Sequence, residues 1–223
     1  MAMRDDPALL ARIRKLLYTA VMSDVLDGIG YRHQAMPPSI RPLDDALLLA
    51  GFARTGLYRE VYHVAPDINP YELEIALVDD LKPDDVAVFG CGGSRRIAPW
   101  GELLSTASRA RGAAGCVTDG MARDIRAIRA LRFPVFHGGI APLDSKGRGM
   151  VAEIDVPIEC AGVAIAPGDL VIGDADGVVV VPRAVEDEAL AGAFAKVASE
   201  DRTRDELKAG VKLADVFAKY RVL

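Results

Sequence analysis

The apolar positions of this chain change period along its length. Near the N-terminus Leu9, Leu10, Ile13, Leu16 and Leu17 recur at helical spacing, behind Asp5 or Asp6 as a cap and Pro7 in the first turn. Ser23-Asp24 offers a cap for a short second helix through Leu26, stopped at Gly28-Ile29-Gly30. Pro37-Pro38 marks a loop. Residues 47–58 read as strand, bent at Gly51 and Gly56. Residues 71–81 return to helical spacing and end before the turn signal Lys82-Pro83-Asp84-Asp85.

A regular alternation follows. Val86-Ala87-Val88-Phe89 predicts a short buried strand and residues 101–111 a helix. Gly115-Cys116-Val117-Thr118 predicts a strand, turning at Asp119-Gly120. Residues 121–131 predict a helix with Ile125 and Ile128 on one face, and Phe133-Pro134-Val135-Phe136 a further strand. Strand alternating with helix predicts a parallel α/β core. Beyond Gly147 the chain turns strand-rich, at 151–156, 163–165, 170–173 and 178–181. Residues 183–198 and 203–220 predict two terminal helices, the last anchored by Val211, Leu213, Val216 and Phe217. No linker or internal repeat divides the chain. One domain over 1–223 is expected, with an N-terminal helix at about 5–20 and C-terminal helices at about 183–220.

Composition narrows this picture. With 51% hydrophobic but only 6% aromatic residues, the core must be aliphatic, which suits helices packed on sheets. A net charge of −5 argues against nucleic acid as a partner, because a phosphate backbone needs a basic surface. Cys91, Cys116 and Cys160 have no metal-type spacing and are odd in number. They read as small buried residues in a reduced, cytoplasmic setting. The N-terminus lacks the apolar stretch of a signal peptide, and Val178-Val179-Val180-Val181 ends at Pro182, far short of a membrane span.

Chemistry in α/β proteins gathers where strands end and helices begin. Three such crossings carry candidates. Gly90-Cys91-Gly92-Gly93-Ser94 is a glycine turn without the spacing of a nucleotide loop. Pro99-Trp100-Gly101-Glu102 enters a helix whose first free amides, at Leu103 and Leu104, suit a small carboxylate. Glu102 there also reads as a carboxylate that complements the helix dipole. Asp119-Gly120-Met121-Ala122-Arg123-Asp124 brings an arginine and two carboxylates to a helix start. Taken singly, Asp124 reads as a cap and Arg123 as a surface ion pair with Asp119. Taken together, Glu102, Arg123 and Asp124 offer a proton-handling carboxylate, an anion-binding guanidinium and a metal ligand.

Three features resemble one known family. They are Trp100-Gly101-Glu102-Leu103-Leu104, the 20 residues between Glu102 and Arg123-Asp124, and the Gly-x-Val-x-Asp-Gly strand end at Gly115 to Gly120. The family is that of class II pyruvate aldolases of the 4-hydroxy-4-methyl-2-oxoglutarate / 4-carboxy-4-hydroxy-2-oxoadipate type. The regulator of ribonuclease E activity A shares its fold. The likeness runs over residues 23–182. It implies a swivelling α/β/α sandwich (phosphohistidine-domain-like) and a ring-shaped homotrimer or homohexamer with sites between subunits. It also implies cleavage of 4-hydroxy-2-oxo acids to pyruvate, with oxaloacetate decarboxylation through the same enolate. In the family pattern Asp124 would hold Mg2+ or Mn2+ largely through the ion's waters. Arg123 would grip the 2-oxo acid, the turn from Gly101 with the amides of Leu103 and Leu104 would bind its carboxylate, Glu102 would hold a proton-supplying water, and Gly92 and Gly93 would line the pocket. The chain departs from the family at Arg132 and at His137-Gly138-Gly139, near the expected pocket mouth, which opens the question of substrate. His63 reads as a strand residue at a surface or interface, and His137 as a strand-end residue near the site. A protein-binding regulator of a ribonuclease is the competing reading. A methyltransferase would need a fuller glycine loop and a ribose-binding acid.

Overall fold

The computed structural model describes residues 3–221. Helices α1 (Leu9–Leu16) and α2 (Thr19–Gly28) open the chain, followed by strands β1 (Arg41–Pro42) and β2 (Leu49–Glu60). Helix α3 (Glu72–Asp80), strand β3 (Asp85–Gly90), helix α4 (Glu102–Ala110), strand β4 (Gly115–Ala122), helix α5 (Ile125–Leu131) and strand β5 (Val135–Ile140) form the alternating core. Strands β6 (Gly149–Ile154), β7 (Ile158–Cys160), β8 (Val163–Ile165), β9 (Leu170–Asp174) and β10 (Gly177–Val181) follow, then helices α6 (Glu186–Lys208) and α7 (Leu213–Tyr220).

The predicted parallel core is present: β2, β3, β4 and β5 pair in that order, all parallel. Antiparallel β9 and β6 share the other side of β2, β10 extends β9, and β1 caps β5. The Arg41 side chain on β1 donates to the carbonyls of Ala175 and Asp176 in the β9–β10 turn. The two sheet edges therefore nearly meet, and the mixed sheet curls toward a barrel.

Side-chain alternation sorts the layers. Ala50, Phe52 and Tyr58 of β2 face helices, whereas Leu49, Ala53 and Leu57 face the inside of the curl. On the outer face α1, α2 and α6 cover β9, β10 and the start of β2, while α3, α4 and α5 cover β3 to β5. The inner face is closed by Met36, Ile40 and the β7–β8 hairpin. The resemblance implied a sheet with helices on both faces; here helices α1 to α6 share one face of the alternation and a hairpin fills the other.

Several boundaries move from their predicted places for physical reasons. Helix α2 starts at Thr19, and Ser23-Asp24 lie inside it. The buried carboxylate of Asp174, at the end of β9, accepts both the amide and hydroxyl of Thr19 at 2.8 and 2.7 Å. A residue remote in sequence thus serves the helix start. Strand β4 continues through Asp119-Gly120 to Ala122, with a register shift between Thr118 and Met121, so α5 begins only at Ile125. Helix α6 runs unbroken past residue 198, because neither Gly nor Pro interrupts residues 199–208. The break falls at Gly210, whose φ of 85° ends the helix in a left-handed turn. Leu16, expected in the stripe of α1, is exposed, and of the four anchors expected for α7 only Val216 is buried. Among the described residues no helix is long and apolar enough to cross a membrane.

Candidate active site

Trp100 fixes the site. Its indole is fully buried, 5.9 Å from Phe89 and stacked on Phe133 at 6.2 Å between ring centroids. The indole N–H donates to Ser105 Oγ at 2.8 Å, and that hydroxyl donates to the Gly101 carbonyl at 2.9 Å. Buried polar groups satisfied in this way hold the entry to α4 in one geometry. Trp100 also bridges Ala122 in parallel register, and the Arg123 amide donates to the Trp100 carbonyl at 2.9 Å. The turn before α4 and the end of β4 are therefore one unit.

Asp124 sits at φ 60°, ψ 32°, the left-handed region, between β4 and α5. This corner aims its carboxylate back at α4, where Oδ2 accepts the Glu102 amide at 3.2 Å. Oδ2 also lies 3.7 Å from Arg123 Nε, so Oδ1 is the oxygen left for a cation. A Cβ on Gly101 would stand 2.7 Å from Asp124 Oδ2 and 3.2 Å from Arg123. Gly101→Ala is expected to displace both side chains and to lower catalytic efficiency on the order of tenfold, while the thermal midpoint barely moves. Steady-state kinetics beside a melt checks this.

These groups share a cavity of about 240 Å3. Gly101, Leu103, Leu104, Arg123 and Asp124, all named from the sequence, are among the residues that line it. The amides of Leu103 and Leu104 lie in the first turn of α4, beyond reach of any intrahelical carbonyl. Tyr71 at the start of α3, Glu74 and Ile75 within it, and Asp144 and Ser145 also line the cavity. The Arg123 guanidinium donates to the Leu143 carbonyl at 3.2 Å and lies 3.7 Å from Asp144 Oδ1. Its side chain is 39% exposed, so these partners orient it without burying it.

Three predicted residues lie apart from the cavity lining. Glu102 turns outward, and its carboxylate accepts the Thr106 hydroxyl at 2.7 Å, one helical turn on. Gly92 and Gly93, at φ 62° and 68°, form a turn held by Asp119 rather than a wall of this cavity. The buried Asp119 carboxylate accepts the amides of Cys91, Gly93 and Ala161 at 2.5, 2.9 and 3.2 Å. It therefore makes no ion pair with Arg123 and ties the glycine turn to the β7–β8 hairpin. His137 is buried in β5 outside the cavity lining, and burial followed by nearby Arg129 lowers its pKa. His63 is exposed in the loop after β2. All three cysteines are buried free thiols, as expected, and burial pushes each one up and away from reactivity.

Tyr71, Glu74 and Asp144 are ionisable cavity residues that no motif marks. Tyr71 donates to Asp144 Oδ2 at 2.8 Å. Burial alone would raise the Asp144 carboxyl, but Tyr71, the Lys146 amide and Arg123 together hold it below its usual value. Glu74 behaves oppositely. It is 5% exposed, and burial raises its pKa to about 7 despite the Tyr58 hydrogen bond at 2.8 Å; Asp144 adds to the rise and Arg123 opposes it. One local signal points to Glu74: Leu77 and Val78, three and four residues on, share its buried helix face. A carboxyl on an apolar stripe is out of place unless it is used.

That burial has a cost in stability. Folded Glu74 holds its proton to about pH 7, against 4.5 when free. As pH rises from 4.5 to 7 the unfolded chain ionises first, so stability falls through this window and then levels. Glu74→Gln should remove the fall, gaining roughly 2–4 kcal/mol on wild type at pH 8 and little at pH 4.5. Urea unfolding of the two metal-free proteins at both pH values measures the difference.

The resemblance implies a divalent ion beside Asp124. Among the described residues no three His, Cys, Asp or Glu side chains converge as a metal cage. The single carboxylate of Asp124 is a different donor set from the three or four ligands of a zinc-type site. It fits Mg2+ or Mn2+, hard ions that keep most of their waters and need one or two carboxylates. With Glu74 protonated, Asp124 and Asp144 leave the cavity one negative charge in excess of Arg123.

Comparison with known proteins gives the family. The RraA-like family model, described as Aldolase/RraA, matches residues 19–180, and the chain belongs to that family. It is 38% identical over 183 residues to a Halalkalibacterium halodurans protein named "Putative 4-hydroxy-4-methyl-2-oxoglutarate aldolase", covering 82% of this chain and 81% of that one. An uncharacterized protein from Pseudomonas syringae pv. tomato has a similar crystal structure, with a TM-score of 0.81, 28% identity and coverage of 93% of this chain and 95% of that one. So does Streptomyces coelicolor RraAS2, described as an unusual member of the RNase ES inhibitor RraA protein family. Its TM-score is 0.78, at 28% identity over 89% of this chain and 96% of that one.

Proposed function

We propose that this chain is a divalent-metal-dependent lyase that cleaves 4-hydroxy-2-oxo acids of the 4-hydroxy-4-methyl-2-oxoglutarate type to pyruvate and a carbonyl product. It also decarboxylates oxaloacetate. The observation that carries this reading is the meeting of Asp124, Arg123 and the free amides of Leu103 and Leu104 in one cavity. The name of the Halalkalibacterium relative supports it.

The amides of Leu103 and Leu104, with Gly101, receive the substrate carboxylate at the positive end of α4. Arg123 faces the 2-oxo group and stabilises the negative charge that grows there as the bond beyond C3 breaks. Asp124, through Oδ1, would hold Mg2+ or Mn2+ largely through the ion's waters. Bound there, the ion supplies Lewis-acid polarisation of the 2-oxo group. Glu102, at the rim, holds a water that exchanges protons with solvent. Both reactions release the same pyruvate enolate, so one site serves both.

Ile75 and Leu103 are 46% and 77% exposed beside the cavity. Apolar residues in such positions support a homotrimer or homohexamer in which a neighbouring chain completes the site and brings up the Gly92-Gly93 turn. The buried thiols support a cytoplasmic location. A second reading, a non-enzymatic regulator that binds a ribonuclease, is favoured by the likeness to the Streptomyces protein. Incubation with 4-hydroxy-4-methyl-2-oxoglutarate and Mg2+, coupled to lactate dehydrogenase, separates the two. The lyase releases pyruvate at a rate proportional to enzyme; a regulator releases none.

A further inference from the structure

We infer that Glu74 is a catalytic acid–base residue of this site, taking the proton of the substrate's C4 hydroxyl and returning it to C3. The inference rests on the lyase reading above. Geometry sets Glu74 apart from the other carboxyls. It lines, from α3, the same cavity as Arg123 and the first turn of α4, and is almost wholly buried. Its Oε1 accepts the Tyr58 hydroxyl at 2.8 Å, which fixes one oxygen of the carboxyl and leaves Oε2 as the oxygen for proton transfer. Asp124 is engaged by the Glu102 amide, Asp144 by Tyr71, and Glu102 by Thr106 outside the cavity lining.

The groups that act on Glu74 are Tyr58 from β2, Arg123 from the β4–α5 corner and Asp144 from the loop after β5. Tyr71 just before its own helix and the buried thiols of Cys91 and Cys116 lie within electrostatic reach. Arg123 is the single cation among them. It favours the carboxylate, while burial and Asp144 favour the acid, so the group is poised between its two forms near pH 7. A group so poised can serve as base and then as acid in one turnover.

The step balances without a further reactant. Glu74 carboxylate accepts the C4 hydroxyl proton as that oxygen becomes a carbonyl. The C3–C4 bond breaks, and its electron pair passes into the enolate of pyruvate. The Glu74 carboxyl then delivers the proton to C3, giving pyruvate and regenerating the carboxylate. The reverse of the last half-step is removal of a methyl proton from bound pyruvate. Exchange of pyruvate methyl protons with D2O therefore isolates this role. Oxaloacetate decarboxylation does not, because it needs no base to begin.

The test compares wild type, Glu74→Gln and Glu102→Gln with Mg2+. Each is followed by proton NMR of pyruvate exchange and by pyruvate release from oxaloacetate, with thermal melts to confirm folding. Glu74→Gln should slow exchange by about 10²-fold or more but decarboxylation by less than about tenfold. Exchange in wild type should rise with pH as the Glu74 carboxyl ionises. A readout free of metal and turnover is the 13C carboxyl titration of the metal-free protein. The resonance absent from Glu74→Gln should titrate near 7. Near-normal exchange in Glu74→Gln, exchange lost only in Glu102→Gln, equal loss of both reactions in folded Glu74→Gln, or a carboxyl midpoint below 5 each overturns the inference. If wild type neither exchanges nor decarboxylates, the lyase reading falls first and takes this role with it. Activity in wild type with exchange intact in Glu74→Gln removes the role of Glu74 alone.

Discussion

Asp124→Asn is expected to lose at least about 10³-fold in metal-dependent turnover while folding normally, since Lewis-acid stabilisation is worth several kcal/mol and each 1.36 kcal/mol is tenfold in rate. Asparagine is the informative replacement. Asp124 holds a left-handed backbone at φ 60°, which asparagine adopts far more readily than alanine. Its side chain can still accept the Glu102 amide, now made to Oδ2 at 3.2 Å. What disappears is the negative charge that a hard cation requires. The Asp124 side chain is 48% exposed, so little packing is at stake. Oxaloacetate kinetics across a Mg2+ series, with thermal melts, check both halves. A large fall in the melting midpoint would mean that Asp124 serves the fold instead.

Arg123→Ala is the second large effect, expected at about 10²–10³-fold in kcat/KM, the range for losing one preorganised donor to a developing oxyanion. The loss should fall on kcat as well as KM, because charge on the 2-oxo oxygen grows toward the transition state. Arg123→Lys should recover little. The guanidinium reaches the Leu143 carbonyl, Asp124 and Asp144 with separate edges, a geometry that a single ammonium cannot reproduce. Stability should change by less than about 1 kcal/mol, since both ion pairs are 3.7 Å long and half exposed. Single-turnover and steady-state rates on the three proteins decide this. Unchanged kcat in Arg123→Ala would assign the arginine to substrate capture alone.

Half of the cavity is local and was legible. Trp100 to Leu104 and Arg123-Asp124 follow strand ends in a regular strand–helix alternation, and β-pairing fixes their nearness. The other half is set by tertiary packing. Tyr71 and Glu74 sit in an ordinary helical stretch, and Asp144 in a loop, so only the fold reveals that they share a cavity with Arg123. The same limit explains the misplaced boundaries. Thr19 begins α2 because Asp174 lies beside it in space, and Asp119-Gly120 reads as a turn locally yet stays in strand β4. Glu102 shows the converse. Its spacing from Arg123 is distinctive, but its carboxylate is drawn outward by Thr106, and only its amide meets Asp124.

The most direct measurement is pyruvate release from oxaloacetate by the metal-free protein on adding Mg2+ or Mn2+, then chelator, then excess metal. The lyase reading predicts turnover that appears with metal, stops on chelation and returns with the excess. Turnover indifferent to the chelator, or none with either ion, would contradict it.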